Sequence, residues 1–208
     1  MFNKLFKSSK ATFQTFNVLY LAFLLSGALY ALKTFHSYMD VYEKVILFGS
    51  VGFFSWLGWK WNNFKRITIL VFVISLFAIH LYQGVLANNE QIFLLKYLIA
   101  SQSAIMWMTV FFVLSLLLYW LGLLTKNNLI DNIASSFTFV AVLFGFIGLL
   151  VRWYESYLMG LDIGHIPISN LYEVFILFCL INFSVFFFSR AGITLHLPDS
   201  FRKTKYES

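Results

Sequence analysis

Cysteine is nearly absent from this chain. Its 208 residues include one, Cys179, which lies in an apolar run. An internal disulfide, a CxxC pair and a CxxCH haem-attachment site are therefore excluded. Charge is scarce as well. Asp, Glu, Lys and Arg make up 12% of the residues, about half the usual share of roughly 25% in a soluble domain. The motifs of common enzymes are also missing: there is no Gly-rich phosphate loop, no HExxH and no serine nucleophile elbow. No two carboxylates share one apolar run, so a proton pump would lack its usual relay.

What is present is apolar mass. Hydrophobic residues make up 60% of the chain and aromatic residues 21%. A soluble fold of this size has too little interior to hide so much apolar surface. Disordered chains and disulfide scaffolds are excluded by the same composition. The sequence predicts an all-α, polytopic membrane helix bundle.

Six apolar runs carry this expectation: 16–32, 45–59, 67–83, 104–124, 133–153 and 171–188. Each approaches the ~20 residues that a helix needs to cross a bilayer core. None alternates polar with apolar, as barrel strands do. The second run is the shortest and holds Gly49, Gly52 and Gly58. Residues 1–188 thus form a six-span transmembrane region, and 189–208 a short, polar, basic tail. The first run has the basic flank of a signal peptide, but its long apolar core reads as a retained anchor.

The net charge of +6 reads as topology and not as nucleic-acid binding. With the N-terminus inside, the inner connectors hold Lys4, Lys7, Lys10, Lys60, Lys65, Arg66, Lys126, Arg190, Arg202, Lys203 and Lys205. The outer side keeps Lys33, Lys44, Lys96 and Arg152. This bias predicts an N-in, C-in orientation. Tryptophans near the ends of runs read as an interfacial belt. Residues 92–100, in the outer connector 84–103, read as an interfacial helix. Ala141 and Gly145 give the fifth run a face of small residues suited to close packing.

Three of the four histidines fall at or near the outer face. Neutral imidazole is a common axial ligand of haem iron, so His80 and His165 are the candidate haem contacts. The plainer alternative for His80 is an interfacial side chain with its polar tip toward water. The loop 152–170 is the most informative segment. Arg152 and Glu155, three apart, are spaced to pair on one helical face. Pro167 marks a turn. Asn170 with Glu173 reads as a capping box that opens the sixth helix, with Glu173 at the positive end of the helix dipole.

The strings Val151-Arg-Trp-Tyr-Glu and Gly164-His-Ile-Pro-Ile-Ser-Asn-Leu-Tyr-Glu-Val-Phe resemble the signature of the CcsA/ResC family. These are membrane proteins of System II cytochrome c biogenesis. Tyr38-Met-Asp-Val-Tyr-Glu-Lys, Leu57-Gly-Trp-Lys-Trp and Leu95-Lys-Tyr-Leu-Ile-Ala-Ser-Gln-Ser-Ala-Ile-Met-Trp-Met extend the resemblance to the proteobacterial CcsB-type branch. Together they cover most of residues 20–185. The resemblance implies a multi-pass protein of the bacterial inner membrane that handles haem with a ResB-like partner. It implies presentation of haem to apocytochrome c bearing CxxCH, supported by thiol-reducing thioredoxin-like proteins. The positions carried over are Arg152, Glu155, Gly164, His165, Pro167, Asn170, Tyr172 and Glu173, and none of them is assigned a catalytic role. Any enzymatic part is a share in a haem–apocytochrome c ligation complex.

One departure stands out. The family's Trp-rich WWD haem segment does not follow the sixth run. The Trp56-Leu-Gly-Trp59-Lys-Trp61 string lacks that motif's Gly and Asp positions. The expectation is therefore an N-terminal half of such a protein. Two alternatives of other classes are a small respiratory anchor binding haem b and a non-catalytic transporter or interaction subunit.

Overall fold

The computed structural model describes residues 2–37, 39–160, 166–168 and 171–190. Among these, every regular element is helical. Helix α1 spans Phe2–Phe35, α2 Val41–Lys60, α3 Asn62–Tyr82, α4 Asn88–Gln91, α5 Ser101–Thr125, α6 Asn128–Met159 and α7 Leu171–Arg190. The tail expected over 189–208 starts within α7, which runs to Arg190, and 191–208 lie outside the described residues.

Four of the six expected spans are long and apolar enough to cross a bilayer: Thr15–Phe35, Phe64–Tyr82, Ser101–Thr125 and Asn128–Met159. Two fall short of that standard. Helix α2 has twenty residues, but Glu43 and Lys44 lie near its start and Lys60 at its end. Glycine, serine and tryptophan dilute its middle. Helix α7 contributes the shorter apolar run Leu171–Ser184. By length and composition the chain is a multi-pass membrane protein. Its outer surface agrees: Leu116, Leu117, Trp120, Leu123 and Leu124 of α5 are all more than half exposed, as side chains facing lipid would be.

Apolar side chains gain little by leaving lipid for one another, so association must come from close packing and interhelical hydrogen bonds. The α5–α6 hairpin has both. Ala104, Ala134 and Ala141 are fully buried. A Cβ on Gly148 would lie 2.9 Å from Ile105 Cγ1, and one on Gly145 would lie 2.6 Å from Met108 Sδ and collide with Leu180. The face of small residues expected at Ala141 and Gly145 is thus where α6 receives α5 and α7. The Ser115 hydroxyl donates to the Ala134 carbonyl at 2.9 Å, and the Tyr119 and Ser135 hydroxyls meet at 2.9 Å. Helix α6 also packs on α3 through Ile147 and Val151, and its Tyr157 reaches the α1–α2 cluster of Tyr20, Leu24, Ala28, Leu47 and Val51.

The two ends of the bundle differ. At one end the turns are minimal. Trp61 alone caps both α2 and α3, and Lys126, at φ 51°, turns α5 into α6. Asn127 then caps α6, its side chain accepting from the Leu129 N–H at 2.9 Å. At the other end the connectors cover 36–40, 83–100 and 160–170. Within the second of these, 92–100 is not the plain interfacial helix expected. It widens into a π-helical turn, Leu95–Ile99. Leu95, Ile99 and Ala100 of this stretch are buried in the core, and Phe93 and Tyr97 stay exposed. The Trp107 indole N–H donates to the Tyr97 carbonyl at 2.7 Å and ties the turn to α5.

Candidate functional site

The long-connector end gathers three acidic side chains that are nearly out of reach of solvent: Glu43, Glu155 and Glu173. A buried carboxylate is expensive unless it is paired and hydrogen-bonded. Each of the three is satisfied from another part of the chain.

Glu155 lies in the last turns of α6. Its Oε1 accepts from the Ser101 backbone N–H at 3.0 Å. The Ser101 and Tyr82 hydroxyls donate to the same carboxylate. That N–H is one of the orphan donors at the start of α5, so Glu155 acts as an external cap for that helix. Arg152 stands beside it, with Nη1 3.9 Å from Glu155 Oε2 and Nε 3.5 Å from Glu173 Oε1. The expected i,i+3 pair is therefore present. It is also extended to α7, because Glu173 sits in that helix's first turn. The cap residue proposed for it, Asn170, lies outside the described residues.

Glu43 does the corresponding work for α2. Asp40 is the N-cap, and its backbone N–H donates to Glu43 Oε2 at 3.2 Å. The Tyr157 hydroxyl donates to the same oxygen at 3.3 Å, while the Trp153 indole N–H donates to Tyr157 at 2.7 Å. The other oxygen, Oε1, accepts from the Ile166 backbone N–H at 3.0 Å. One carboxylate thus ties the start of α2 to the end of α6 and to the loop after it. Aromatic rings fill the space between: Phe35 stacks on Tyr157 at 5.1 Å between centroids, and Tyr154 lies 5.8 Å from both Phe35 and Tyr82.

Beside Arg152 a cleft of about 450 Å³ opens between α5, α6 and α7. Ser101, Gln102, Ile105, Met106 and Thr109 form its α5 wall. Arg152 and Tyr172 face them.

No family model, curated protein or solved structure matches this chain. Of the positions singled out by sequence, Arg152, Glu155 and Glu173 converge in one ion-pair network. Tyr172 lines the adjoining cleft, and Pro167 is buried in the turn after Ile166. Gly164, His165 and Asn170 lie outside the described residues. Four further residues complete the site: Glu43 and Ser101, which lie in the strings quoted for the resemblance without an assigned role, and Tyr82 and Tyr157. Only Glu43 carried a local signal, the Asp-x-x-Glu spacing of a capping box at Asp40.

Haem needs an axial imidazole, thiolate, thioether or phenolate set against an apolar slot. The described residues do not fit it. His80 is exposed and lies two residues from buried Tyr82, about 200° around α3 at 3.6 residues per turn, so it faces out of the bundle. His36 is exposed in the turn after α1. The cleft beside Arg152 has no histidine among its described lining residues, and its thioether, Met106, and phenol, Tyr172, are both more than half exposed and not set in an apolar slot.

Proposed function

We propose that the chain is the scaffold component of a System II cytochrome c biogenesis complex in the bacterial inner membrane. In this reading it has six spans with both termini in the cytoplasm, α2 and α7 completing the set by packing on the four longer helices. It works with a ResB-like partner that shares in holding haem. The complex presents haem to the CxxCH thiols of apocytochrome c, which thioredoxin-like proteins keep reduced. Ligation of the iron falls to the partner or to segments beyond the described residues, His165 among them.

One observation carries this reading. Arg152 and Glu155 come from one signature string and Glu173 from the other, and the fold joins them in a single network. The two strings that resemble the family are thus one physical site, at the end of the bundle where the connectors are long enough to meet partners.

The test is co-expression of the chain with a ResB-like partner and an apocytochrome c in a strain lacking its own assembly system. The expected outcome is co-purification of the partner, haem in the complex, and covalent holocytochrome. Purification of the chain alone, with neither partner nor haem and no gain in holocytochrome, defeats the proposal.

A further inference from the structure

The two ends of the bundle also differ in charge. Of the described acids, Asp40, Glu43, Glu90, Glu155 and Glu173 lie at the long-connector end. The short-turn end has one, Asp131, and it is folded against α5, where a Cβ on Gly122 would collide with it. Cations gather there instead. Lys60 closes α2, and Arg66 lies in the second turn of α3, on either side of the one-residue turn at Trp61. Both are exposed, and neither joins an ion pair among the described residues. Arg66 stands just inside the candidate span Phe64–Tyr82, and its long stem lets the guanidinium snorkel back to the head-group level of Lys60.

An apolar bed leads away from these cations. Val45, Gly49, Gly52, Trp56 and Lys60 are all exposed and recur at helical spacing, so they form one stripe along α2. The stripe lies opposite the buried Leu47, Val51 and Ser55. Phe53 and Trp56 stack with centroids 6.3 Å apart, and both rings are more than half exposed. Beyond them the surface dips to the backbone, because nothing lies within 4 Å of a Cβ placed on Gly49 or Gly52. The first turns of α2 have no such dip: Val41, Tyr42, Val45 and Ile46 all stand exposed. From Lys60 to Gly49 the stripe runs about 16 Å at 1.5 Å per residue, close to half of the ~30 Å hydrocarbon core. A partner's transmembrane helix would run through both leaflets, whereas a lipid occupies one. Two cations call for an anionic head, and phosphate oxygens take the paired N–H groups of a guanidinium. Free phosphate would leave the rings and the dip unused.

We propose that this end of α2 docks an anionic phospholipid, with the phosphodiester at Lys60 and Arg66 and one acyl chain lying along Trp56, Gly52 and Gly49. The bound lipid covers the exposed face of the helix that falls short as a span. The inference goes beyond the biogenesis reading and does not depend on it.

The experiment titrates the full chain, in a mild non-ionic detergent, with phosphatidylglycerol or with phosphatidylcholine of the same acyl chains, and counts bound lipid by native mass spectrometry. The expected result is a first phosphatidylglycerol bound about tenfold or more tightly than phosphatidylcholine and undisturbed by millimolar inorganic phosphate. Lys60→Gln combined with Arg66→Gln should erase that preference. Lys126→Gln, at the other short turn, should leave it unchanged, which separates a site from general attraction to the basic end. Gly52→Leu fills the dip without touching the cations and should weaken phosphatidylglycerol binding. Each variant is to be compared with the parent by thermal melting, and the Lys60 and Arg66 pair decides alone if Gly52→Leu melts early. Equal affinity for the two lipids overturns the proposal, as does displacement by inorganic phosphate. So does a loss with Lys126→Gln as large as with the Lys60 and Arg66 pair. A disulfide-linked dimer formed in membranes by Gly52→Cys on a Cys179→Ser background would put a second copy on the dip and overturn it as well.

Discussion

Ser101 and Glu155 are 54 residues apart, and the backbone N–H of the first donates to the side chain of the second at 3.0 Å. A carboxylate near the end of α6 thereby caps the start of α5, and Arg152 carries the connection onward to α7 through Glu173. This contact sets the register of the α5–α6 pair at the end where the candidate site lies.

Removing the Glu155 carboxylate should therefore be severe. Glu155→Leu leaves the Tyr82 hydroxyl, the Ser101 N–H and part of the Arg152 charge without their partner. A loss of about 3–5 kcal/mol is expected for breaking such a buried network from one side. Glu155→Gln keeps an acceptor oxygen and should lose less than half as much. Thermal melting in mild detergent measures both, and equal melting points for the two variants would argue against a hydrogen-bonded role.

Glu43 should control the loop after α6. Glu43→Ala removes the acceptor of the Ile166 N–H and that of the Asp40 N–H. Asp40 is exposed and Ile166 half-buried, so water takes over part of what is lost and each bond is worth about 0.5–1.5 kcal/mol. Hydrogen–deuterium exchange at Ile166 should accelerate at least tenfold, with little change in the middle of α5. Unchanged exchange at Ile166 would show that the loop is held by other contacts.

Gly145 should tolerate no side chain. Gly145→Val places atoms where Met108 and Leu180 already are, and overpacking of this kind costs about 1–3 kcal/mol. The same change at Gly49, where nothing lies within 4 Å, should be nearly neutral. Paired melting curves separate the two.

Hydrogen bonds between the helices should matter less than their packing. Ser115→Ala removes the bond to the Ala134 carbonyl and the contact with the Thr138 hydroxyl at 2.5 Å, and such bonds in membrane proteins average about 0.6 kcal/mol. A double-mutant cycle with Thr138→Val, read by unfolding in increasing denaturing detergent, should give a coupling energy of that order.

Orientation can be tested on a Cys179→Ser background. A cysteine replacing Lys126, in the minimal turn between α5 and α6, should resist an impermeant maleimide added from outside intact spheroplasts. One replacing Val85, half-exposed after α3, should react. The reverse pattern would invert the topology drawn from the basic residues.

Much of this architecture was legible in the sequence. The apolar runs located the helices, since a bilayer leaves the backbone no other way to satisfy itself. The Arg152–Glu155 spacing foretold a pair that is present, and Ala141 and Gly145 foretold a packing face. What stayed hidden was tertiary. Tyr82 lies at the end of an apolar run and Ser101 in the connector 84–103, and nothing local to either marks the contact with Glu155. The 92–100 stretch has amphipathic spacing, but its apolar side is drawn into the core next to Tyr82, and the backbone widens into a π turn to deliver it. Helix α2 carries two conflicting signals in its sequence. Its charged start is a cap and a tether, and the same residues that give it that role lower its fitness as a span.

The α5–α6 hairpin has a consequence for assembly. Its helices are joined by a two-residue turn, and their small-residue face and hydrogen bonds link segments close together in the chain. Contacts of that kind require little loop closure and form early. The Glu43–Ile166 bond, across 123 residues, needs α2, α6 and the following loop all in place. On this argument the hairpin is expected to be the seed on which the other helices gather, and the tether at Glu43 the last stitch, closing the site only once the bundle around it exists.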